Sequence, residues 1–125
     1  MTDALQAFEY AVLRVVPRVE RGEAMNAGVI VYCKPREFLG ARVLLDRDRL
    51  AALDSQADAD AVAKALDAAS DCALRDGDDL GQRFRWLTAL RSTVVQPGPV
   101  HTGMTANPEA ETERLFQLLV LPLPD

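Results

Sequence analysis

The chain is poor in the residues that most site chemistry draws on. Its 125 residues include one histidine, one tryptophan and two cysteines, and only 6% are aromatic. Zinc sites need His and Cys in pairs at ligand spacing, and His101 with the separated Cys33 and Cys72 offers no such pair, so no metal is expected. The phosphate cradles G-x-x-x-x-G-K and G-x-G-x-x-G are missing, and no cofactor is expected. Ser92 lacks the G-x-S-x-G elbow of a hydrolase nucleophile. No run approaches the about eighteen apolar residues of a membrane helix. The opening M-T-D-A-L-Q-A-F-E-Y has no basic region before an apolar one, so no signal peptide is expected and the cytoplasm is the expected compartment. Both cysteines lie in apolar patterns, which predicts reduced thiols acting as small hydrophobes.

Positive charge is short as well. The formal charge is −5, which argues against a general nucleic-acid binder, since that needs a basic footprint. Lysine is nearly absent: twelve of the fourteen cationic residues are arginine, through codon composition or through a set of anion-binding groups.

What remains describes one α+β domain over residues 1–125. An antiparallel sheet of four to five strands is expected, with three or four helices packed mostly on one face. Phe8 to Val16 is apolar on both parities, as a central strand covered on both faces should be. Arg14 interrupts one face and must reach water or a partner. A polar turn through Gly22 leads to a second strand, Ala24 to Cys33, and so short a connection predicts an antiparallel hairpin. Alternation puts Asn26, Gly28, Ile30 and Tyr32 on one face, and Gly28 marks a bulge or a close backbone approach. Ala41 to Leu45 reads as a third strand. Asp46 or Asp48 caps a helical turn carrying Leu50 and Leu53. Val62, Ala65, Leu66, Ala69, Cys72 and Ala73 hold helical spacing, from Asp58 or Asp60 to a stop at Gly77. A helix from Asp79 to Leu90 follows, then two short strands split by Pro97-Gly98-Pro99. Asn107 and Pro108 start a last helix whose expected stripe is Leu115, Phe116, Leu118 and Leu119.

Two functional readings stand side by side. Glu23 and Asn26 at the hairpin, with Arg91 just before a strand and His101 within the strand Pro99 to Met104, can form a polar site. A carboxylate, amide, guanidinium and imidazole together bind a polar small molecule or nucleotide, or run acid–base chemistry. Each also has a structural use, as a salt bridge or a satisfied imidazole. Ser92 and His101 become neighbours if their strands pair. The second reading centres on R-F-R-W, Arg83 to Trp86. Arg83, Arg85 and Trp86 are expected to look outward or to a flank, where tryptophan and arginine anchor protein partners. Alternating arginine and aromatic groups also stack on nucleobases, but the acidic chain weighs against that.

Two stretches carry a family resemblance. Tyr10 to Tyr32 contains R-G-E-A-M-N-A-G-V, and Arg83 to Gly103 contains S-T-V-V-Q-P-G-P-V-H-T-G. They resemble the bacterial domain-of-unknown-function family number three-zero-three-seven. The resemblance implies a small α+β domain and supplies no catalytic residue. It implies an accessory role beside a HipA-like kinase. It draws attention to Arg21, Glu23, Asn26, Gly28, Arg91, Ser92, His101 and Thr102, the positions within those strings. The oligomeric state is not readable from the chain.

Overall fold

The first strand, β1 (Gln6–Val15), organises the sheet, because three of the other strands pair directly with it. A computed structural model describes residues 4–89 and 93–124. Among them, β2 (Met25–Cys33) runs antiparallel along one edge of β1, and β3 (Phe38–Val43) pairs antiparallel with β2. The other edge of β1 is shared by β4 (Val95–Pro97), against Leu13–Val15, and β5 (His101–Thr105), against Gln6–Tyr10. The result is a five-stranded antiparallel sheet. β3 begins at Phe38, three residues before the expected strand, because the turn after Cys33 is completed within Lys34–Arg36.

One face of the sheet carries α1 (Arg47–Leu53), α2 (Ala59–Leu74) and α3 (Leu80–Leu87). Leu50, Leu66 and Phe84 pack there with Leu13, Val15 and Ile30. The opposite face carries α4 (Pro108–Leu119), whose Leu115 and Phe116 meet Phe8, Val29 and Val31. Three helices on one face and one on the other agree with the sequence pattern, and β1 is apolar on both parities because both faces are covered. Side-chain oxygens open three of the helices: Asp46 accepts from the Arg49 amide, Asp58 from Ala61 and Asn107 from Ala110. In α4 the expected stripe is only partly buried, since Leu118 is 56% exposed.

A β-bulge shifts the register of β1 and β2. Leu13 faces Gly28 but Arg14 faces Asn26, so Ala27 is the extra residue. The single insertion turns Asn26 to the α4 face, while Ile30 and Tyr32 stay on the α1–α3 face. The expectation that all of them share one face is therefore corrected. Gly28 beside the bulge is also a close approach, because a Cβ there would stand 2.8 Å from Val43 Cγ1 and 3.0 Å from the Arg42 carbonyl oxygen.

Candidate functional site

The residues singled out for a polar site occupy separate places. Arg21 and Glu23 are exposed in the β1–β2 connection and pair with each other at 2.5 Å. The hydrogen bond that Arg21 donates to Glu23, then the charge of that carboxylate, holds the guanidinium above its ordinary pKa. Asn26 uses its amide in the fold, donating to the Leu119 carbonyl at the end of α4 over 3.0 Å. His101 and Thr102 are exposed on β5, and the imidazole lies 5.2 Å from the Tyr10 ring. Asn26 sits opposite Arg14 and His101 opposite Tyr10, on the two edges of β1. Four residues along that strand and two strand spacings across, they are roughly 17 Å apart. Arg91 and Ser92 lie outside the described residues. Among the described residues β4 and β5 each pair with β1 and not with one another. Among the described residues no group of three His, Cys, Asp or Glu side chains is placed to hold a metal ion, and Cys33 and Cys72 are free. No helix among them is long and apolar enough to cross a membrane.

The second set of residues divides. Arg83, expected to look outward or to a flank, is corrected to a buried position, 3% exposed. Its Nη1 donates to the carbonyls of Cys72, Ala73 and Arg75 at 2.8, 3.0 and 2.9 Å, and its Nε donates to Asp79 at 2.9 Å. The last carbonyls of a helix have no amide four residues on, and Arg83 supplies donors for the end of α2. Periodicity alone misses this, because Arg83 lies beside Phe84 and only the packing of α3 against α2 brings those carbonyls within reach. Desolvation pushes the Asp79 carboxyl up, but its own backbone amide and the charges of Arg83 and Arg75 together hold it below the usual range.

Arg85 and Trp86 are exposed, the tryptophan by 60%. Trp86 stands on the rim of an apolar groove of about 500 Å³ floored by Ala65, Ala68, Ala69 and Cys72 of α2, with Leu87 and Val95 along the other wall. The groove exists because the helical stripe of α2 is wider than the core it serves. Val62, Leu66 and Ala73 are buried, while Ala65 is exposed and Ala69 and Cys72 are only half covered. Cys72 and Trp86 also border a second depression of about 370 Å³, lined by Arg75, Asp79, Gln82 and Arg83. The stripe was legible in the sequence; that one edge of it stays uncovered was not.

No curated protein and no solved structure matches the chain. The family model described as "Protein of unknown function (DUF3037)" matches residues 10–120, from within β1 to the residue that closes α4. A match over so much of the fold makes the chain a member of the DUF3037 family.

Proposed function

We propose that the chain is a partner-binding domain, a bacterial cytoplasmic accessory protein that holds another protein through the groove under Trp86. One observation carries this reading: a tryptophan 60% exposed on the rim of an apolar groove, beside the exposed Arg85. Tryptophan is a large apolar body with a polar edge, and it dominates interface energetics when a partner covers it. Alanines on the groove floor leave room for a partner's larger side chain. The resemblance names the first partner to try, a HipA-like kinase. The small-molecule reading has less support, since Glu23, Asn26 and His101 each hold separate contacts.

The test is calorimetric titration of the purified domain with a HipA-like kinase. Covering the exposed part of the indole is worth about 3 kcal/mol at the usual area coefficient, so Trp86→Ala should weaken binding roughly a hundredfold. Circular dichroism of the variant should be unchanged. Failure of the kinase to bind, or equal binding by the variant, would overturn the reading.

A further inference from the structure

From Ser92 to Pro108 seventeen consecutive residues include no Asp, Glu, Lys or Arg, in a chain that is 26% charged. Within that run lie β4 and β5, the strands that share one edge of the sheet. Natural sheets blunt such edges with charges or prolines. Pro97 and Pro99 remove amide donors from β4 and from the connection after it. β5 has neither device, and His101, Thr102 and Met104 are exposed along it.

The direction of its backbone groups follows from the ladder. The Gly98 amide donates to the Val12 carbonyl and the Val16 amide to the Val94 carbonyl, so even-numbered residues of β1 turn their backbone groups toward this edge. By antiparallel alternation Phe8 and Tyr10 then exchange hydrogen bonds with Gly103 and His101. Thr102 and Met104 must turn their amides and carbonyls the other way. Those outward groups have no backbone partner among the described residues.

We propose that β5 pairs with β5 of a second copy of this chain, antiparallel about a two-fold axis at Gly103, which joins two sheets into one. Thr102 of one copy then faces Met104 of the other, and the two such pairs exchange four backbone hydrogen bonds. Gly103 meets Gly103 at the close position between those pairs, where no side chain holds the strands apart. Symmetry selects a second copy as the occupant, because the outward groups of Thr102 and Met104 lie evenly about Gly103 and are self-complementary. Two copies at −5 repel one another in general, and this uncharged edge is where they approach without placing like charges face to face. Met104, 58% exposed, and the exposed Ala7 opposite it on β1 add apolar area beside the seam. A five-residue strand covers well under the roughly 800 Å² per partner of a standard interface, so the dimer is weak and concentration-dependent.

The experiment is sedimentation equilibrium of the full chain from about 10 µM to about 1 mM, a range that brackets weak interfaces. The expected result is reversible dimerisation. Thr102→Pro deletes an outward amide and none of the β1–β5 bonds, which is where an edge strand tolerates proline. It removes two of the four bonds and should weaken the dimer about tenfold or more. Amide exchange gives a second reading: Thr102 and Met104 should gain protection with concentration, while Gly103 is protected throughout. A monomer at every concentration, or a dimer equally strong in the proline variant with those amides unprotected, overturns the proposal. Binding at the Trp86 groove is measured separately, and its outcome bears on neither result.

Discussion

Replacing Arg83 with methionine tests whether one side chain holds α2 to α3. Methionine keeps most of the stem and removes the guanidinium, so the loss reports the hydrogen bonds more than the packing. Three carbonyls lose their donor. Ala73 is buried, so its carbonyl stays unsatisfied at about 2 kcal/mol, while water can reach those of Cys72 and Arg75 and limit each to about 0.5–1 kcal/mol. Opposing this, a buried guanidinium carries a desolvation cost, and Nη2 finds no acceptor among the described residues. The expected net loss is about 3 kcal/mol, a fall in Tm of about 10 °C for a domain of this size. Urea and thermal unfolding followed by circular dichroism measure it, with the exposed Arg85→Met as the control that should change little. Arg83→Lys should fail to rescue, because a point ammonium cannot serve three carbonyls and a carboxylate at once. A loss below about 1 kcal/mol in Arg83→Met would refute the clamp and leave the end of α2 explained by packing alone.

Two more outcomes follow from the same geometry. The Asp79 carboxyl is depressed in the folded state, so its stabilising contribution is present above the unfolded value near 4 and is lost as pH falls through the lower folded value. Asp79→Asn should therefore flatten the acid limb of the stability curve, measured by urea midpoints from pH 5 down to about pH 2, and an unchanged acid limb would contradict it. Gly28→Ala pushes a Cβ against Val43 and the Arg42 carbonyl, and backbone cannot give way as a side-chain end can. A loss of about 1–3 kcal/mol in the urea midpoint is expected, and a neutral result would mean the bulge relaxes.

Much of the fold was open to reading in the chain because it rests on local rules. Asn107 followed by Pro108 starts α4 as their chemistry requires, and the short connection after Val16 leaves β2 no course but antiparallel. Asp46 and Asp58 cap as short polar side chains do at helix starts. The candidate site was less legible. Glu23, Asn26 and His101 are polar groups in suggestive strings, yet each finds its contact elsewhere: on Arg21, on the end of α4 and on Tyr10.

By itself, then, the sequence determined the capped starts of α1, α2 and α4, the antiparallel sheet and the two apolar faces of β1, since periodicity, caps and loop length act within a few residues. Only the tertiary structure decided the rest. One inserted residue at Ala27 turned Asn26 to the opposite face, a change that alternation counted along β2 cannot reveal. The packing of α3 on α2 took Arg83 from a helix flank to a buried clamp. The shared edge of β1 set β4 and β5 in line, leaving Thr102 and Met104 turned outward. Each of these depends on contacts between segments far apart in the chain, where no local preference acts.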